Sequence, residues 1–334
     1  MIIVRTPYRL TLGGGSTDLP AYYEKFGGFI FAVTINLYLY VGLNRPPFDD
    51  RIRLKYFEIE EVDDVEELSH KLVKYALKRL GIDKKIDMFS LADIPDKTGL
   101  GSSSTFLVGL LNALHTLKGD NFSRRDLAEE AFHIATQDAK CPEGKQDFYL
   151  ASFGNFCILE IDKDGKVDVA NAKISRRTQE EFERKTLLFY TGVRRSNAEI
   201  LTEQQVNVRE NQQYAIELKH QVKKIGREIL DIFEAGNGLD DFGRLMDEHW
   251  QVKKGMSNKM SNPIFDEIYT KVRKNGVLGG KIAGAGGGGF FMVYCQDGYQ
   301  EAVRKVFAEY NYREIPFQVD STGTQVLLHR SRLV

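Results

Sequence analysis

Only three cysteines, Cys141, Cys157 and Cys295, occur in 334 residues, far apart and with no C-x-x-C spacing. That scarcity argues against a disulfide framework or a structural zinc site and makes a reducing cytoplasm the expected compartment. Charge of one sign is also lacking. Forty-six Lys and Arg stand against 47 Asp and Glu, a formal net charge of −1. No global field draws such a chain to nucleic acid or an anionic membrane, so neither is expected as a partner. The longest apolar run, residues 28–43, is too short to span a bilayer and is broken by Thr34 and Asn36. Arg5 and Pro7 interrupt what would have to be a secretory signal core. There is no G-x-x-x-x-G-K-S/T, which excludes a P-loop, and no H-R-D accompanies the D-F-G at residues 241–243, so the set of a protein kinase is not present.

What the chain does have is glycine, 30 residues of it, within a composition of 42% hydrophobic and 28% charged residues that can bury a real core. Residues 2–12 read as a strand running into Gly13, Gly14 and Gly15, and residues 29–43 as further strands. Apolar spacing predicts an amphipathic helix over 62–81, and residues 85–95 predict a strand. Residues 98–119 read as a Gly/Ser turn opening a core helix, 123–139 as another helix, and 144–162 as a loop entering a strand. The polar stretch 167–184 marks a domain boundary, dividing the chain into 1–170 and 171–334. Beyond it come a strand (186–193), helices over 196–235, 239–254 and 262–276, and a glycine loop entering a strand near residue 290. Strands and helices mix in both halves, so two α+β domains are expected.

Three glycine loops carry the chemistry. In TGLGSSS (residues 98–104), free backbone N–H groups, a helix N-terminus and hydroxyls coincide, which is the general form of a phosphate site. Gly284, Gly286 and Gly289 formally satisfy G-x-G-x-x-G, but a strand follows where a dinucleotide site needs a helix, so that reading is rejected. In the first loop, Arg9, Ser16, Thr17 and Asp18 surround bare glycine backbone, which suits a hydroxyl-rich ligand such as a sugar. Isolated histidines on apolar helices, His115, His133 and His249, are read as core residues.

In order, PYRLTLGGGSTD, PDKTGLGSSS and KIAGAGGGG resemble the three motifs of the GHMP kinases, which include galactokinases, homoserine kinases, mevalonate kinases and phosphomevalonate kinases. GGGSTDLPAYYEKFGG, INLYLYV, GKQDFYLASFGNF, YTGVRRSNAEIL and HWQVKKGMSN further resemble the D-glycero-D-manno-heptose 7-phosphate kinases. The resemblance spans essentially the whole chain. It implies a ribosomal S5 domain 2-like N-terminal domain and a ferredoxin-like C-terminal domain, with ATP and a small sugar phosphate bound between them. By resemblance, Gly99, Leu100, Gly101, Ser102, Ser103 and Ser104 surround the ATP phosphates, with Ser103 near Mg2+. Asp147 is the implied catalytic acid–base, with Arg9 as its cationic partner. Gly14, Gly15, Ser16, Thr17, Asp18 and Gln146 are implied to hold the sugar, and Gly286 and Gly287 to brace substrate and phosphate loop. A phosphorylated acceptor needs a second anion site, for which Arg194 with Arg195, or Lys253 with Lys254, are the candidates. One departure stands out: where the family carries a metal-binding Glu, this chain has Ala135, with Asp138 and Glu130 the nearest acids. That leaves room for a non-catalytic nucleotide- or sugar-binding regulator. Oligomeric state is left open.

Overall fold

Residues 1–194 and 198–330 are described in the computed structural model. The strands are β1 (Ile2–Gly13), β2 (Gly28–Asn44), β3 (Ile52–Lys55), β4 (Ile59–Val62), β5 (Ile86–Ala92), β6 (Phe156–Ile161), β7 (Val167–Asn171), β8 (Thr186–Tyr190), β9 (Val277–Ile282), β10 (Phe290–Cys295), β11 (Arg313–Glu314) and β12 (Gln325–His329). The helices are α1 (Pro20–Phe26), α2 (Lys71–Arg79), α3 (Ser102–Lys118), α4 (Arg124–His133), α5 (Gln146–Phe153), α6 (Arg176–Lys185), α7 (Ala198–Arg209), α8 (Gln213–Ala235), α9 (Asp240–Lys254), α10 (Pro263–Lys274) and α11 (Gln300–Glu309).

The β-branched and aromatic residues of β1 and β2 form a long antiparallel pair, from Ile2 opposite Leu43 to Gly13 opposite Phe31. It is the spine of an eight-stranded sheet ordered β12-β1-β2-β5-β3-β4, with β6 on the other half of β2 and β7 beside β6. The second sheet has the order β11-β8-β10-β9. The chain ends cross over: β12 returns from the C-terminal half to pair with β1.

Helix α3 packs on β1 and β2 and is apolar on nearly every face, with Leu107, Val108, Leu110, Leu111 and Leu114 fully buried. Each such side chain contributes about 1.5–3 kcal/mol of burial. The helix therefore anchors the strained glycine loop at its N-terminus. An aromatic chain joins the two sheets: Phe31 of β2 meets Phe233 of α8 at 5.3 Å between ring centroids, Phe233 meets Phe242 of α9 at 5.0 Å, and Phe242 meets Tyr294 of β10 at 5.2 Å.

Several expectations are corrected. The helix expected over 62–81 is shorter, a 3-10 turn at Val65–Glu67 followed by α2, because Leu68 and His70 adopt extended backbone between them. Residues 144–162 contain a helix, α5, before the strand. The polar stretch 167–184 is ordered as β7 and most of α6. The helix ahead of Ala235 is two helices, separated at Asn211, which takes a positive φ of 55°. Among the described residues no helix is long and apolar enough to cross a membrane.

Candidate active site

The three glycine loops converge on one cleft of about 740 Å³ between the two sheets. Its phosphate loop is held by its neighbour. A Cβ on Gly99 (φ +82°) would lie 2.6 Å from the Ala283 carbonyl oxygen, and one on Gly284 would lie 2.6 Å from that of Gly99. Only glycine permits this mutual backbone approach. Gly101, at φ 87°, is the N-cap of α3 and supplies no side-chain cap. The first-turn N–H groups, with the positive end of the helix dipole, therefore face the cleft without a side-chain acceptor. Ser103 is exposed at the mouth. Ser102 Oγ is buried with no hydrogen-bond partner among the described residues, while Ser104 Oγ donates to Glu143 at 2.9 Å. Leu100 is fully buried and its carbonyl accepts from the Arg9 backbone N–H at 3.3 Å, so its side chain anchors the loop.

Beside this loop, Asp147 stands in the first turn of α5. Arg9 of β1 grips it through two hydrogen bonds, Nε to Oδ1 and Nη2 to Oδ2, both 2.6 Å, and donates Nη1 to the Gly99 carbonyl at 2.7 Å. One buried arginine thus fixes the carboxylate and the phosphate loop relative to each other, a fork geometry that lysine cannot reproduce.

Away from the phosphate loop, Gly15, Ser16, Asp18 and Gln146 line the cleft. Asp18 accepts from the Gln146 backbone N–H at 2.9 Å; burial, reinforced by the Asp147 charge, raises its carboxyl to about 6. Two expected contacts are corrected. Gly14 and Thr17 do not line the cleft: a Cβ on Gly14 would lie 1.9 Å from the Phe29 carbonyl oxygen, and Thr17 Oγ1 is buried within 2.8 Å of the carbonyls of Gly14 and Phe29. Gly13 likewise abuts Gly226 of α8. What comes close to the first two glycines is the protein's own backbone, and only Gly15 faces the cleft.

Gly286 and Gly287 also lie outside the lining. They rest on Met260, whose carbonyl accepts from the Gly287 N–H at 2.8 Å, while Gly284 and Ala285 reach the cleft. The basic pairs split. Lys253 lines the cleft, buried, and donates to the Gly284 carbonyl. Lys254 instead pairs with Asp266 at 3.3 Å. Arg194 lines the cleft and forms an ion pair with Asp96, joining the loops of the two halves; Arg195 lies outside the described residues.

Ala135 is buried in a π-helical turn, Ile134–Asp138, and Glu130 is taken up by His115 at 2.7 Å and Arg79 at 3.1 Å. A different carboxylate, Glu143, lines the cleft beside Ser104. Burial and the neighbouring Asp147 charge raise its carboxyl to about 7. Its sequence signal was an acid between Pro142 and Gly144, four residues before Asp147. Sequence reasoning also missed Lys281 and His249, which line the cleft, and buried Lys219, whose Nζ donates to the Ser16 carbonyl at 3.0 Å. It missed the apolar end as well, where Leu39, Ile94 and Phe106 join Tyr56 and His70. The His70 ring lies 5.1 Å from each of Tyr56 and Phe106, giving flat faces suited to a nucleobase.

The family GHMP kinases N terminal domain matches residues 67–155 and GHMP kinases C terminal matches 229–313. A D-glycero-alpha-D-manno-heptose 7-phosphate kinase of Campylobacter jejuni is 29% identical over 88% of this chain and 89% of its own length. An L-fucokinase/L-fucose-1-P guanylyltransferase of Bacteroides fragilis is 25% identical over 91% of this chain but only 36% of its own. The solved structure of a D-glycero-D-manno-heptose 1-phosphate kinase from Bacteroides thetaiotaomicron superposes with a TM-score of 0.83 at 25% identity, covering 99% of this chain and 100% of that one.

Proposed function

This chain belongs to the GHMP kinase family and is a sugar kinase, and from that premise we propose that it transfers the γ-phosphoryl group of ATP to the anomeric C1 hydroxyl of D-glycero-D-manno-heptose 7-phosphate. The observation that carries the reading is the Arg9–Asp147 fork, set beside the uncapped N-terminus of α3 in a cleft that continues past Asp18 to buried lysines.

Asp147 accepts the proton of the C1 hydroxyl as its oxygen bonds to the γ-phosphorus. The bond from that phosphorus to the β–γ bridging oxygen breaks, and ADP leaves with the 1,7-bisphosphate as co-product. Phosphoryl transfer needs mostly alignment and charge neutralisation. The α3 N–H groups and Arg9 supply the neutralisation, and Asp18, Ser16 and Gln146 orient sugar hydroxyls.

The donor set fits Mg2+: Glu143 and Ser103 offer only oxygens, and no group of three or more His, Cys, Asp or Glu suited to a metal exists among the described residues. Mg2+ commonly keeps phosphate and water ligands, so two protein oxygens are enough for it. Mg2+, when bound, offsets phosphate charge. In this reading Glu143 supplies the carboxylate whose absence at Ala135 left a protein without turnover as the alternative.

The test is ADP release from ATP and Mg2+ with heptose 7-phosphate, beside mannose, galactose and fucose. Release confined to the heptose phosphate is the expected result. Release with fucose instead would transfer the reading to the fucokinase relative's substrate and discard the heptose.

A further inference from the structure

Four lysines are buried deeply enough to need explanation beyond Lys219, and they fall into two classes. Lys145 has Glu129 at 2.7 Å, and Lys185 has Glu181 and Asp240, each at 2.9 Å. Lys253 and Lys281, 8% and 3% exposed, have no carboxylate within ion-pair distance among the described residues. Lys253 donates to the Gly284 carbonyl, and Lys281 reaches the Leu12 carbonyl at 3.5 Å. His249, one turn before Lys253 on the same face of α9, is 1% exposed, and neither of its ring nitrogens has a hydrogen-bond partner among the described residues. All three side chains line the cleft.

Burial of unpaired cations is unfavourable, and an isolated imidazole leaves two polar atoms unsatisfied. The same fold neutralises Lys145 and Lys185 with acids and gives Lys219, which does not line the cleft, two neutral acceptors, the Ser16 carbonyl at 3.0 Å and Gln204 Oε1 at 3.2 Å; Lys253 and Lys281 instead line the cleft, open to a partner from outside. Sugar hydroxyls do not require one: Asp18, Ser16 and Gln146 serve them. A phosphate monoester, with a charge of about −1.5 to −2 and three acceptor oxygens, does. We propose that Lys253, Lys281 and His249 form the subsite that receives the phosphate already present on the acceptor sugar. This rests on the proposed sugar-phosphate reading and gives its substrate class a structural cause. It also separates the two anion sites of the cleft, leaving the nucleotide phosphates to the α3 N-terminus.

The test is titration calorimetry of the intact protein with D-glycero-D-manno-heptose 7-phosphate, the same heptose without phosphate, and a non-hydrolysable ATP analogue with Mg2+. Lys281→Met and Lys253→Met keep side-chain length and remove charge, so both are expected to fold. Charge-assisted hydrogen bonds are worth roughly tenfold to hundredfold in affinity. The expected result is a loss of that size for the heptose phosphate in each variant, with the Kd of heptose and of the nucleotide unchanged. An unchanged Kd for the heptose phosphate overturns the subsite. An equal loss for the nucleotide also overturns it, by assigning the lysines to the transferred phosphoryl. The two readings fail separately. Wild-type binding that depends on the lysines without turnover of the heptose phosphate would sink the kinase substrate and keep the subsite. Turnover that survives Lys→Met with unaltered Kd would do the reverse.

Discussion

At the α3 end of the cleft, the proposed anion recognition is built from backbone: N–H groups of a helix start, shaped by glycines at positive φ and locked against the β9–β10 loop. At the α9–β9 end it is built from side chains on regular helix and strand, with no special backbone conformation at Lys253, His249 or Lys281. Backbone donors carry no titratable charge and cannot be lost by substituting one side chain, whereas a lysine subsite can be tuned or removed one residue at a time. The first construction suits a ligand held without any side-chain charge; the second suits a charged group whose recognition can be altered one side chain at a time.

Removing the carboxylate fixed beside the α3 end should have the largest effect. Asp147→Asn is expected to lower kcat by about two to four orders of magnitude while leaving the KM for ATP unchanged, since positioned proton transfer is worth that much; steady-state kinetics decide it. Full activity in that variant would remove Asp147 from the chemistry. Next comes Glu143→Gln, for which an apparent Mg2+ affinity weaker by about tenfold or more is expected. The sign of its pH dependence follows from burial. A carboxyl raised to about 7 is protonated below that pH in the metal-free protein and must lose the proton to bind the ion. Apparent Mg2+ affinity in the wild type should therefore fall as pH drops below 7 and level off above it, and the Gln variant should lack this dependence.

The backbone-built end is probed by Gly99→Ala, whose methyl group would meet the Ala283 carbonyl at an unfavourable φ. A destabilisation of roughly 1–3 kcal/mol is expected, with weaker ATP binding; chemical denaturation and nucleotide titration measure both. The side-chain-built end should respond in the opposite direction. Burial, and after it the neighbouring Lys253 and Arg9, disfavours the charged form of Lys281, so Lys281→Met should raise Tm modestly, and a lowered Tm would show that the lysine is structural. Ser103→Ala, at the exposed mouth, should change only the Mg2+ requirement and leave folding unaltered.

The same contrast explains what the sequence disclosed. Glycine loops are local signals, so TGLGSSS, the first-motif Arg9 and Asp18, and the domain class were readable directly. Lys281, His249 and Glu143 were not, because β9, α9 and the loop before α5 meet only through the topology of two sheets. Helix α5 was misread because Phe148, Tyr149, Leu150, Ala151 and Ser152 are all buried, leaving no polar stripe to reveal a helical period. The opening glycine triplet misled for another reason. Sequence marks where a backbone is approached closely, and only the fold shows that Phe29 and Gly226 make the approach.

The aromatic chain from Phe31 through Phe233 and Phe242 to Tyr294 has a mechanical consequence. Prising the sheets apart would separate edge-to-face rings at three successive contacts, which couples the two halves. Heating should melt it in one cooperative calorimetric transition, and the Asp96–Arg194 ion pair adds a polar link between the same halves.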